Sequence, residues 1–213
     1  MITDQRIRDY IGSLDRGNGA LLDGIEERAL RDRVPIAKKE TQALLKTMVV
    51  LTKPEKILEV GTAVGFSALL MAGVMPEHCR ITTIEKFEKR IPEAKANFAA
   101  ADMENRITLL EGDAEEILAG LEPGYGLIFM DAAKGQYINW LPQVRRLLVP
   151  GGLLISDNVL QDGETALSRY AVGRRDRTIH TRIREYIWEL THCDDFETSI
   201  LPVGDGVALS VKK

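Results

Sequence analysis

The chain has 213 residues, 45% apolar and 28% charged, which suits one globular domain with a substantial core. Its net charge of −4 excludes a globally basic nucleic-acid binder but leaves room for a local basic patch. MITDQRIRDY lacks the apolar core of a secretory signal, FSALLMAGVM is too short to span a bilayer, and Cys79 and Cys193 show neither metal-site nor disulfide-framework spacing. The expected setting is reducing and cytoplasmic, with no membrane partner.

IRDYIGSL, ALLDGIEERALRD and KKETQALLKTMVVL carry apolar residues at three- and four-residue spacing, which predicts three helices within residues 1–52. Pro35 separates the second from the third. From residue 56 the rhythm changes. KILEV (56–60), RITTIE (80–85), RITLLEG (106–112), YGLIFMD (125–131) and GGLLISDN (151–158) read as strands. FSALLMAGV, FEKRIPEAKANFAAA, AEEILAG and GQYINWLPQVRRLL read as the helices between them. Such alternation implies an α/β fold with helices on both faces of a parallel sheet. The ending departs from it. After a helix over TRIREYIWELTH, the segments FETSILP and GVALSVKK flank the turn residues Pro202 to Gly206 as an antiparallel hairpin. The expectation is a single domain over 1–213, its core over 53–213 built on a seven-stranded, mostly parallel sheet. The closing hairpin speaks against a plain dinucleotide dehydrogenase.

Residues 169–185 hold Arg169, Arg174, Arg175, Arg177, Arg182 and Arg184 against Asp176 and Glu185. On charge patterning this is either a solvated helix face or an anion-binding patch. His78, His180 and His192 are expected at the surface.

EVGTAVGFS (59–67) follows the first strand and opens a helix. Gly61 and Gly65 allow a sharp turn and close approach of a ligand, although tight packing explains such a pair equally well. Glu85 ends the next strand and could accept from both hydroxyls of a ribose. Asp113, in GDA at the end of the third strand, could take the exocyclic amine of an adenine. Each alone is more often an ordinary strand-end polar residue; together, at successive strand ends, they favour an adenosine-type cofactor. The loop lacks the third glycine of GxGxxG and has Glu59 just before the turn. It resembles the S-adenosylmethionine motif of Rossmann-like methyltransferases more than a nicotinamide site.

Strand four ends in FMDAAK (129–134) and strand five in SDN (156–158). Asp131, Asp157 and Asn158 are hard oxygen donors, suited to Mg²⁺ or a similar divalent cation; zinc is disfavoured without Cys or His nearby. The bland alternative is an Asx turn or a helix cap. A cation there would lower the pKa of a substrate hydroxyl and hold it toward the methyl donor. Lys134 could then be the general base, against the alternative of a first-turn lysine facing water. Asp131 is placed to contact both cofactor and cation.

ILEVGTAVGFSA, TIE, GDA, DAAKGQY, SDNVL and PVGDGVALS, in that order, resemble the metal-dependent O-methyltransferases that include the catechol and caffeoyl-CoA enzymes. The resemblance runs from VPI at 34–36 to the C-terminus. It implies the Rossmann-like methyltransferase fold, Asp131, Asp157 and Asn158 as Mg²⁺ ligands, and Lys134 as the catalytic lysine. It also implies cofactor contacts from Ala37, Gly61, Ser67, Glu85, Asp113, Ala114 and Asp131, and a homodimer. Phe66 stands where a tyrosine is usual. VPI, DAAKGQY, SDNVL, RRDR and PVGDG look most like the bacterial branch acting on tRNA 5-hydroxyuridine at the wobble position. There the 5-hydroxyl and 4-carbonyl could chelate one cation as a catechol does. Site residues alone do not separate these acceptors. Arg174, Arg175 and Arg177 could, since arginines fork onto phosphates and stack on bases. A nicotinamide oxidoreductase or a non-catalytic binding protein would leave DAAK and SDN without a purpose.

Overall fold

A computed structural model describes residues 3–213. Three helices come first, α1 (Gln5–Ser13), α2 (Ala20–Arg31) and α3 (Lys39–Thr52). Strands and helices then alternate as β1 (Lys56–Val60), α4 (Phe66–Ala72), β2 (Arg80–Glu85), α5 (Ile91–Ala100), β3 (Ile107–Glu111), α6 (Ala114–Gly120), β4 (Tyr125–Met130), α7 (Tyr137–Leu147) and β5 (Leu148–Ser156). The chain finishes with α8 (Arg177–His192), β6 (Phe196–Leu201) and β7 (Val207–Lys212).

The sheet has seven strands in the order β3-β2-β1-β4-β5-β7-β6. β1 to β5 pair in parallel, and β7 runs antiparallel to both β5 and β6, so the closing hairpin is present. β1 is buried along all but its first residue, as expected of a strand covered on both faces. Its alternate side chains serve different cores. Ile57 joins α2, α3, α4 and α5 on one face, while Leu58 and Val60 join α6, α7 and α8 on the other. Winding reverses between β1 and β4, and their carboxyl ends open the crevice where ligands bind in such sheets.

Several boundaries move from the sequence expectation for local reasons. The fifth helix starts at Ile91 rather than Phe87, because Pro92 fits a first turn and not an interior. Lys134–Gln136 forms a 3-10 turn before α7. α8 begins at Arg177, four residues before its apolar pattern starts, so Arg177, Arg182 and Arg184 lie on a helix. His180 corrects the expectation of a surface histidine. It is 2% exposed, on the packed face of α8, with its Nε2 bonded to the Leu167 carbonyl at 3.1 Å. Among the described residues no helix is long and apolar enough to cross a membrane.

Candidate active site

A cavity of about 580 Å³ lies over the carboxyl ends of β1, β2, β4 and β5. Ala37, Gly61, Ser67, Glu85, Asp113 and Ala114 line it, together with Asp131, Lys134, Asp157 and Asn158. Residues named from six separate stretches therefore meet around one space.

Gly61 is needed at the turn out of β1. Its φ is +105°, and a Cβ there would sit 2.1 Å from the Asp131 carbonyl oxygen. The turn is drawn toward β2 and β4 by Gly61 N–H to Ile84 O at 3.1 Å and Asp131 N–H to Val60 O at 3.0 Å. Gly65 and Glu59 stand outside the lining. Gly65 (φ +82°) caps α4, and its missing side chain makes room for the Phe98 ring. Glu59 is fully buried and accepts from the hydroxyls of Ser67 and Thr83, both at 2.5 Å. It reaches the cavity through Ser67, a lining residue.

Burial pushes the Glu59 carboxyl up to about 8; the Ser67 and Thr83 hydroxyls pull the other way, and the Asp131 and Glu85 charges add to the rise. A carboxyl raised in the fold keeps its proton at pH values where the unfolded chain has lost it. The ligand-free protein therefore loses stability as pH climbs from about 4.5 toward 8. Glu59→Gln has no such proton to lose. Between pH 6 and pH 9 the wild type should lose about 2 kcal/mol, or about 5 °C in melting temperature, more than this variant. Parallel melting curves across that range would contradict the assignment.

Glu85 is already engaged. Its Oε2 accepts from Ala63 N–H at 2.7 Å, and its Oε1 from Lys86 and Phe87 N–H at 2.9 and 2.7 Å. Of a carboxylate's four acceptor positions about one is left, enough for one ribose hydroxyl rather than two. Asp113 is the N-cap of α6, accepting from Glu115 N–H at 2.9 Å, and it pairs with Lys86 at 2.8 Å. The Lys86 ammonium first, and the Glu115 amide second, hold its carboxyl below the usual range.

The acids of β4 and β5 differ in setting. Lys134 Nζ meets Asp131 Oδ1 at 3.1 Å, three residues apart across the turn. Asp157 is 2% exposed and accepts from the Asn158 amide at 2.8 Å. Burial, then the Asp131 charge, holds its carboxyl well above the usual carboxylate range. Asn158 has φ +59°, a left-handed conformation that asparagine tolerates better than most residues. Among the described residues no three His, Cys, Asp or Glu side chains gather as a metal cluster; the donors here are two carboxylates and an amide.

Five residues of the site went unnoticed in the sequence. Tyr137, fully buried, donates to Met130 O at 2.9 Å and accepts from Ala132 N–H at 3.2 Å, holding the end of β4 just before Asp131 turns out. Its place closing DAAKGQY was the available signal. Tyr186 and Ser156 share a hydrogen bond of 2.6 Å under the end of β5. Lys38 and Asp205 meet at the cavity's lip, 167 residues apart in the chain.

The arginines divide. Arg182 donates to Gly135 O at 3.1 Å, and Arg184 to Thr165 O and Leu167 O at 3.1 and 3.3 Å. These two serve the fold, which narrows the basic patch. Arg169, Arg174 and Arg175 are exposed, and the Arg177 guanidinium lies 6.0 Å from the ring centre of Tyr170, a residue 85% exposed. The helix carrying this segment packs through Ile179 and Arg182 against the turn of Lys134.

Residues 22–213 match the family model of the O-methyltransferases. A catechol O-methyltransferase of Niastella koreensis is 32% identical over 166 residues, covering 76% of this chain and 74% of that protein. A Staphylococcus aureus crystal structure, provisionally assigned as a caffeoyl-CoA O-methyltransferase, superposes with TM-score 0.91 at 30% identity over 98% of this chain and all of the other. A Podospora anserina methyltransferase bound to S-adenosylhomocysteine superposes with TM-score 0.87 at 26% identity, over 98% and 94% of the two chains. A sheet with its winding reversal at β1 and β4, a glycine turn against Asp131 and a match over nearly the whole chain agree: this protein belongs to the O-methyltransferase family and is an S-adenosylmethionine-dependent O-methyltransferase.

Proposed function

We propose that the chain methylates a hydroxyl that has a second oxygen beside it, with a divalent cation, Mg²⁺ by the donor chemistry, held by Asp131, Asp157 and Asn158. The carrying observation is Asp157. Among the described residues its carboxyl, 2% exposed, accepts only from the Asn158 backbone N–H, and burial beside Asp131 disfavours a negative charge there that a cation would offset. When bound, the cofactor supplies a methyl group on a sulfonium, and the cation supplies Lewis acidity at the acceptor oxygens.

The chain's own groups do the rest. Gly61, Ala37 and Ser67 shape the wall of the cofactor space, and Glu85 offers its remaining acceptor position to a ribose hydroxyl. Asp113 and Ala114 face the expected adenine position. Lys134 receives the acceptor's proton at Nζ. In the ligand-free protein Nζ donates to Asp131 Oδ1 at 3.1 Å in an ion pair, so it must first give a proton to solvent before it can take the acceptor's. Tyr137 keeps Asp131 at a fixed height over the sheet.

For the acceptor, 5-hydroxyuridine at the tRNA wobble position is the reading supported by the exposed Arg169, Arg174 and Arg175 and by Tyr170, on a segment adjoining the Lys134 turn. Tyr170 beside Arg177 is a surface on which a splayed base can stack. A small catechol or phenol is the second reading, favoured by the substrates named for the catechol and caffeoyl-CoA relatives. Pairing of two copies is supported by α1 and its C-cap residue Leu14, which expose Ile7, Tyr10, Ile11 and Leu14 on one face. A cytoplasmic location accords with two free cysteines.

The test offers unmethylated 5-hydroxyuridine tRNA and a catechol side by side, with labelled S-adenosylmethionine, in Mg²⁺ and then in EDTA. Labelling of tRNA that EDTA abolishes is the expected result; labelling of catechol alone retires the tRNA reading. Replacing Arg174, Arg175 and Arg177 by glutamine should weaken tRNA binding at least about ten-fold and flatten its salt dependence by about 2 in slope. Unchanged tRNA turnover in that variant would remove the segment from the interface.

A further inference from the structure

Asp205 lies in the turn between β6 and β7, and no role was expected of it. Its Oδ2 accepts from Asn158 Nδ2 at 3.0 Å, and its Oδ1 accepts from Lys38, which also meets Asp162 at 3.3 Å. The amide nitrogen of Asn158 is thus the branch that faces Asp205, as suits a carboxylate paired with the Lys38 ammonium. The carbonyl oxygen of Asn158, on the other branch of the same planar amide, is thereby turned away from Asp205. An unrestrained asparagine could present either atom.

The turn that carries Asp205 is tightly fixed. Val159 N–H donates to Gly206 O at 2.9 Å, and Leu160 N–H to Asp205 O at 3.1 Å. A Cβ on Gly206 would meet the Leu160 side chain at 2.4 Å, and one on Gly204 would meet Thr41 Oγ1 at 2.4 Å. The turn is wedged between the segment after β5 and the start of α3. On its far side Lys38 is the N-cap residue of α3 and follows Ala37, a wall of the cavity. Burial opposes the Lys38 charge, and the Asp205 and Asp162 carboxylates outweigh it, so the ammonium is firmly held.

We propose that Asp205, braced by Lys38, is a positioning residue that orients the Asn158 amide so that its oxygen, and not its nitrogen, is offered to the cation. This rests on the ligand assignment made above. Groups that orient ligands in this way affect metal affinity about 10- to 100-fold.

The experiment titrates the full-length protein with Mn²⁺ alone, counting free ion by electron paramagnetic resonance. S-adenosylhomocysteine binding is measured separately by calorimetry. Two variants are used, Asp205→Ala and Asp205→Leu, the second keeping bulk in the turn without an acceptor. Each should bind Mn²⁺ about ten-fold or more weakly while S-adenosylhomocysteine affinity stays within about two-fold. Wild-type Mn²⁺ affinity in either folded variant overturns the proposal. So does a parallel loss of both ligands, or failure of both variants to fold, since those outcomes mark a structural role. A wild-type protein that takes up no Mn²⁺, or takes it up equally after Asp157→Asn, overturns the ligand assignment itself and this inference with it.

Discussion

Asp157→Asn is expected to lower methyl transfer about 10³-fold and to raise the melting temperature of the cation-free protein at pH 8. The two effects have one cause. A carboxyl raised by burial and by the Asp131 charge is costly to the fold once ionised, so removing the charge stabilises the empty protein. The same charge is what a divalent cation would seek. Loss of a ligand that stabilises developing charge by several kcal/mol corresponds to a rate loss of two to four decades, about 1.4 kcal/mol per decade. The asparagine keeps an oxygen for the Asn158 amide, so local geometry is preserved. Radiolabel transfer, melting curves with and without Mg²⁺, and S-adenosylhomocysteine titration separate the outcomes. The variant should lose activity and lose the Mg²⁺-induced rise in melting temperature while keeping the cofactor product. Full activity in the variant would return Asp157 to an ordinary turn residue.

Gly61→Ala should be the most damaging single methyl group in the protein. A Cβ at that position would stand 2.1 Å from the Asp131 carbonyl oxygen and 2.8 Å from its carbon, at φ +105°. Strain in that region costs about 1–3 kcal/mol, and forcing backbone apart adds a similar amount. The expected loss is about 4 kcal/mol, seen as a drop of about 10 °C in melting temperature. Cofactor binding should fall with it, because the turn out of β1 is the wall of the cavity and the displaced partner is the backbone of Asp131. Gly120→Ala is the control, since nothing lies within 4 Å of a Cβ there. Equal melting temperatures for the two variants would mean that β1 and β4 can part without cost.

Much of this was legible in the chain, for reasons that differ by element. β1, β4 and β5 announce themselves because a strand buried on both faces is a short, mainly apolar run, and β2 to β5 each lead into an acid at the cavity. Asp131 and Asp157 were readable because strand order brings β4 beside β1 and β5 beside β4. Less visible was what each polar group does before a ligand arrives. Asp113 reads as an acceptor for adenine, yet its side chain caps α6, a task that the residues following it also signal. Glu85 reads as free, yet three backbone amides already occupy it. Arg182 and Arg184 read as surface charge because sequence does not reveal that a loop carbonyl will lie within reach. The Lys38–Asp205 contact depends on three loops folding together at one rim, and no local pattern encodes that.

The attachment of the basic segment has an evolutionary meaning. Arg184 and His180 grip Thr165 and Leu167 by their carbonyls, groups that any residue type supplies. The clip therefore tolerates change in the side chains it holds, and residues 168–176 beyond it contribute no strand to the sheet. Apart from the buried Val172, that stretch could be rewritten without disturbing the sheet or the acids at its edge. If residues 168–176 select the acceptor as proposed, a chimera that exchanges them between relatives should shift acceptor preference while leaving the cofactor site in place.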